Sequence, residues 1–166
     1  MKIELISKEE HIDNDIVYNW FIIKNNGAIT IHLNKIIEET ISECSFIDKN
    51  NKYIEVLYSD WDSNELCAIV NADGEVIKTG IKSIEEFYEE YDLFRVILSG
   101  FAIASELIEF GLPSDDDYWA VIKWNGEYII NPNYGNIIYD EDDNYFIASS
   151  RGGNKYKYSI NGERID

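Results

Sequence analysis

Short apolar runs recur along this chain, divided by polar breaks in which Asn or Asp stands ahead of Gly. Trp20 to Ile23 and Ala28 to Ile31 flank Asn26-Gly27. Leu66 to Val70 and Val76-Ile77 flank Asp73-Gly74. Tyr118 to Ile122 and Tyr128 to Ile130 flank Asn125-Gly126, and Tyr156 to Ile160 precede Asn161-Gly162. A tight reversal needs positive φ at its centre, which Gly and Asn reach at least cost, so each break predicts an antiparallel hairpin. The pattern predicts a mainly β protein made of antiparallel hairpin units over residues 16–57, 66–98, 118–148 and 155–165. The 166 residues suit one domain.

Text between the turns also recurs. Asn34-Lys35-Ile36-Ile37 follows the first hairpin, Lys82-Ser83-Ile84 the second and Asn136-Ile137-Ile138 the third, each ahead of an acidic loop and a further strand. Such self-similarity suggests a unit that buries its apolar face only against a neighbour. Three segments also carry helical signals. Asn34 is placed to cap residues 35–44, and Ser83 and Glu86 have capping-box spacing ahead of 84–91. Residues 101–110 end at Gly111, with Pro113 beyond. If all three are helices, the fold is α+β.

The third unit, Ala120-Val121-Ile122-Lys123-Trp124-Asn125-Gly126-Glu127-Tyr128-Ile129-Ile130-Asn131-Pro132-Asn133-Tyr134-Gly135-Asn136-Ile137, resembles a WG repeat of bacterial proteins. The shared features are a strand ending at a residue-Gly turn, a second strand, then Pro, Tyr and Ile. The resemblance is best over residues 118–148. The Trp-Gly pair itself is absent, and Pro132 is the single Pro within a unit. The resemblance implies β-rich repeats and an interaction role, and it supplies no catalytic residues.

Composition adds a strong charge to this picture. Thirty-two acids against fourteen bases give a formal charge of −18. Such a surface repels nucleic acid and anionic lipid, which call for clustered Lys and Arg, and it attracts basic proteins. The N-terminal Met1-Lys2-Ile3-Glu4 has no apolar run of signal-peptide length, and no long apolar span occurs, so a cytoplasmic protein outside the membrane is expected. Cys44 and Cys67 are read as buried reduced thiols.

Catalytic chemistry finds little footing. His11 and His32 are the only histidines, and no Gly-x-Ser-x-Gly, P-loop or His-Glu-x-x-His occurs. Asp60-Trp61-Asp62-Ser63-Asn64-Glu65 opens like a calcium loop, yet Glu65 stands where Gly is required. Asp140-Glu141-Asp142-Asp143-Asn144 fails at Tyr145 in the same way. No catalytic residue, cofactor or metal is expected. Aromatics set among acids suit a surface for a basic partner, the ring giving contact area and the charge giving steering. The candidates are Asp60, Trp61 and Asp62; Asp115, Asp116, Asp117 and Tyr118; and Tyr139, Asp140, Glu141, Asp142 and Asp143. The expected class is a binding protein, for example an immunity or inhibitor protein that covers a basic toxin. The alternative is a structural or housekeeping repeat domain with no dedicated basic partner.

Overall fold

One five-residue turn recurs five times along the chain, four of them between consecutive strands. In residues 60–64, 71–75, 123–127, 150–154 and 159–163 the first residue's N–H donates to the fifth residue's carbonyl at 2.8–3.1 Å. The fourth residue's N–H donates back to the first residue's carbonyl at 2.9–3.0 Å. The fourth position always has positive φ: Ser63 at 62°, Gly74 at 83°, Gly126 at 85°, Gly153 at 87° and Gly162 at 82°. This is a type I turn closed by a left-handed residue. In the Asp-Gly and Asn-Gly copies, Asp73, Asn125 and Asn161 keep negative φ, so there Gly alone supplies the left-handed step. In four of the five, the first side chain also accepts the fifth residue's N–H: Asp60, Asn71, Ser150 and Ser159, at 2.9–3.2 Å.

The computed structural model describes residues 1–166, and the chain divides into two compact units, Met1–Thr79 and Gly80–Asp166. The protein is mainly β. In the first unit β1 (Ile3–Ile12), β2 (Asp15–Lys24) and β3 (Ile29–His32) form an antiparallel sheet in that order. A two-residue reversal at Asp13 (φ 56°) and Asn14 (φ 105°) joins β1 to β2, and Asn26-Gly27 lies in the β2–β3 turn, as expected. β4 (Thr40–Phe46), β5 (Tyr53–Ser59) and β6 (Glu65–Asn71) pair antiparallel in sequence order. Alternation along β4, β5 and β6 sends Cys44, Ile54, Val56, Tyr58, Leu66, Ala68 and Val70 to one face. There they bury Ile22 of β2 together with Leu33, Ile37 and Ile41.

The boundary between the units falls within β7 (Val76–Tyr88). The second unit continues with β8 (Leu93–Ser99), the helix α1 (Ala104–Phe110), β9 (Asp117–Lys123) and β10 (Tyr128–Tyr134). β8 pairs with both β7 and β9, and β9 pairs with β10. β11 (Asn136–Asp140), β12 (Tyr145–Ser149) and β13 (Lys155–Ser159) make a separate antiparallel sheet. Its inner residues Ile137, Phe146 and Ala148 pack against Leu93, Val121, Ile130 and Tyr134. Rings fill the gap: Tyr88 meets Phe146 edge-on at 5.5 Å, and Tyr139 tilts against Phe146 at 5.1 Å.

Of the three helical segments, one forms. Residues 104–110 are α1, and Gly111 (φ 66°) closes it with N–H bonds from Gly111 to Ile108 and from Leu112 to Leu107. Residues 84–91 instead supply the end of β7 and its turn. Glu86 does not reach back to Ser83; its carboxylate accepts from the Tyr88 hydroxyl at 2.9 Å and from Arg95 at 3.1 Å. Residues 35–44 give a single 3-10 turn at Leu33–Lys35 and then β4, because the core takes Ile37 and Ile41 from an extended chain.

Candidate protein-binding surface

The twelve sequence-predicted residues separate into three groups with different roles. At the β5–β6 turn, Asp60 builds the reversal. Its carboxylate accepts the N–H groups of Asp62 at 3.0 Å and Asn64 at 2.9 Å, together with the Asn64 side-chain amide. The Asn64 side chain and these backbone donors hold the Asp60 carboxyl below its ordinary pKa. Asp62 projects outward, and Trp61 is 94% exposed at the tip.

The second group is largely absorbed by the second unit. Asp116 pairs with Arg151 at 2.8 Å and Asp117 pairs with Lys82, leaving Asp115 as the exposed carboxylate. Tyr118 is a correction. It is 2% exposed, donates its hydroxyl to the Pro113 carbonyl at 2.8 Å and lies beneath the Arg151 guanidinium, 4.9 Å from its ring centroid. Burial pushes its phenol pKa up. The position falls on the inward face of β9, so the ring packs inside the fold and is not part of the exposed acidic surface.

In the third group Asp140 again shapes a turn. It accepts from Asp142 and Asp143 N–H at 3.1 and 3.2 Å, while Asn144 (φ 58°) donates to its carbonyl. Glu141, Asp142 and Asp143 remain exposed. Tyr139 packs on Tyr88 and Phe146, and its hydroxyl meets Asn144, which also holds Tyr91 at 3.0 Å. Burial, then the Tyr91 hydrogen bond, raises its pKa.

The acidity is spread through both units. Residues 1–79 hold fifteen acids and seven bases, and residues 80–166 hold seventeen and seven. Several bases already serve internal partners. Lys24, 5% exposed, is paired with Asp73, and Arg95 is fixed between Glu86 and the Ile137 carbonyl.

Sequence reasoning missed a groove of about 360 Å³ in the first unit. Ile16 and Tyr18 of β2 line one side, and Glu38, Glu39 and Ile41 line the other. β3 pairs with β2 only from Phe21 to Lys24, so the outer part of β2 has no strand on that side. The Asn34 amide closes the gap next to β3. Its oxygen accepts the Trp20 N–H at 2.7 Å, and its nitrogen donates to the Tyr18 carbonyl at 3.2 Å. No hydrophobic pattern marks such a groove, because it depends on where β3 stops.

The thiols and imidazoles all sit in structural contacts. Burial pushes the Cys44 and Cys67 thiols up to about 12. Both are free, and they point to opposite faces of the β4–β6 sheet, Cys44 into the core with Val56 and Cys67 beside Glu55. His32 ends β3, stacks on Phe21 at 4.6 Å and bonds Asn19 at 3.0 Å. His11 pairs with Glu9 on the exposed half of β1. No group of three or more His, Cys, Asp or Glu has the arrangement to hold a metal ion, and no helix is long and apolar enough to cross a membrane.

Fold and surface together define a mainly β, antiparallel protein with acidic, aromatic-tipped turns. Compared with known proteins, the chain matches no family model and no curated sequence.

Proposed function

We propose that this chain is a non-enzymatic protein-binding module whose acidic surface engages a basic protein, as an immunity or inhibitor protein engages a toxin. The observation that carries the reading is the acid surplus in both units, with carboxylates of Asp62, Asp115, Glu141, Asp142 and Asp143 exposed. Trp61, fully presented between two aspartates, supplies the kind of aromatic anchor on which binding energy concentrates. Dispersed negative charge speeds encounter with a positive partner and rejects nucleic acid. The five-residue turn at 60–64 supplies the tip on which Trp61 and Asp62 stand, and the turn shaped by Asp140 presents Glu141, Asp142 and Asp143.

Affinity capture from the native host, followed by titration of the isolated partner from about 50 to about 500 mM salt, tests this reading. A basic partner whose association slows steeply as salt rises is the expected result. An affinity and on-rate unchanged across that range would refute it. Examination of the neighbouring gene for a basic product offers an independent check.

A structural repeat domain with no dedicated basic partner is the second reading, favoured by one observation. Phe101, just before α1, and Ile108, within it, are 73% and 78% exposed. Apolar docking there predicts association that is indifferent to salt and lost on Ile108→Ser.

A further inference from the structure

We propose that the groove beside β2 receives an extended basic segment of the partner protein as an added β-strand. The inference rests on the basic-partner reading above and names the place and the mode of contact.

The backbone of β2 sets the geometry. The Asn34 bonds show that the Trp20 N–H and the Tyr18 carbonyl point away from β1. Groups two residues apart on a strand point the same way, so the N–H and C=O of Ile16 and the N–H of Tyr18 share that open edge. The β1–β2 reversal agrees. With Asp13-Asn14 as a two-residue loop, Ile12 and Asp15 form the hydrogen-bonded pair that closes it. Val17 then bonds toward β1, and Ile16 and Tyr18 do not. Main-chain groups in a row along an edge are a template for another strand.

The walls of the groove specify what that strand carries. Ile16 and Tyr18 are 52% and 49% exposed, a large apolar surface for one strand end. Glu38 and Glu39 stand across from them, and no Lys or Arg lines the groove. Asp13 and Asp15 close the hairpin end. A segment with alternating aliphatic and Lys or Arg side chains meets both walls, one set against Ile16 and Tyr18 and the other against the carboxylates. A second copy of this chain is a poor occupant, because its own β2 edge carries Asp13 and Asp15 into Glu38 and Glu39.

The probe is the hexapeptide acetyl-Lys-Val-Lys-Val-Lys-Val-amide, titrated at low salt and followed by amide chemical shifts and hydrogen exchange of the full chain. Shifts centred on residues 15–19 and 38–41, with slowed exchange at Ile16 and Tyr18, are expected. The same peptide N-methylated at alternate residues should bind about tenfold more weakly, as loss of about two hydrogen bonds requires. The double variant Glu38→Gln, Glu39→Gln should weaken the parent peptide roughly threefold while retaining the fold. Equal binding by the N-methylated peptide overturns strand addition. Shifts confined to Trp61 or to residues 140–143 overturn the groove and leave the basic-partner reading standing. Failure of the peptide together with failure to capture any basic partner overturns both.

Discussion

Replacing Gly100 with Ala tests whether the segment ahead of β9 is as tightly placed as its ion pairs suggest. A Cβ at Gly100 would stand 2.0 Å from the Asp116 carbonyl oxygen and 2.7 Å from that of Ser114. Both are backbone atoms, so no side-chain rotation relieves the clash and residues 114–116 must move. That segment is pinned by Asp116 to Arg151 at 2.8 Å, by Asp117 to Lys82, and by the Tyr118 hydroxyl on Pro113. Overpacking of this kind costs about 1–3 kcal/mol, and a lost hydrogen bond adds about 1 kcal/mol. An overall loss of about 3 kcal/mol is expected. The matched control is Gly153→Ala. Gly153 has φ 87° with nothing within 4 Å of its would-be Cβ, so it reports left-handed strain alone, about 1 kcal/mol. At about 2–4 °C per kcal/mol for a chain of this size, Gly100→Ala should melt roughly 6–12 °C below the parent and Gly153→Ala roughly 2–4 °C below. Thermal and urea denaturation of the three proteins measure this directly. A Gly100→Ala protein as stable as Gly153→Ala would refute the reasoning.

Asp73→Ala should destabilise the first unit by about 2 kcal/mol in urea unfolding, since it leaves the buried Lys24 ammonium without its carboxylate. Lys24→Met on that background should restore most of the loss. The Glu55 carboxyl is raised by burial and then by Glu43, so it holds its proton more readily folded than unfolded. Its burial penalty is therefore absent in acid, grows as pH rises from the unfolded pKa to the folded one, and is fully present above the folded pKa. Glu55→Gln should accordingly stabilise the protein near neutral pH, with the advantage shrinking as pH falls through the folded pKa and lost below about pH 4.5, where the unfolded carboxyl is protonated too. With both thiols held near 12, Cys44 and Cys67 should resist a thiol reagent at about pH 8 until denaturant is added. Rapid labelling of the native protein would contradict their burial.

Turns with Gly were legible because only one residue type reaches the left-handed step without strain, and Gly74, Gly126 and Gly162 sit there. Turns at Ser63 and Asp92 (φ 50°) were not, since an ordinary residue is held there by its neighbours' hydrogen bonds. β1 was missed as well. Its outer half, Ser7 to His11, is polar on both faces and is held by pairing with β2, not by core packing. The capping-box spacing at Ser83 lost to strand pairing, because Ile84 opposite Val96 extends a ladder that a helix would break. Trp61, singled out by its acidic neighbours, stands exposed at its turn. Tyr118 was misplaced by the same rule, since proximity to Asp115–Asp117 in sequence says nothing about which face of β9 a side chain takes.

The five-residue turn fixes its first and fourth positions and leaves the second unconstrained. In this chain that second position holds Trp61, Ala72, Trp124, Arg151 and Ile160 on one common frame. At Trp61 and Trp124, both exposed, the occupant can be exchanged without touching the hydrogen bonds beneath it, whereas Arg151 is held by Asp116 and Tyr118. On the proposed binding role, the target can therefore change through single substitutions at these exposed tips while the scaffold stays constant.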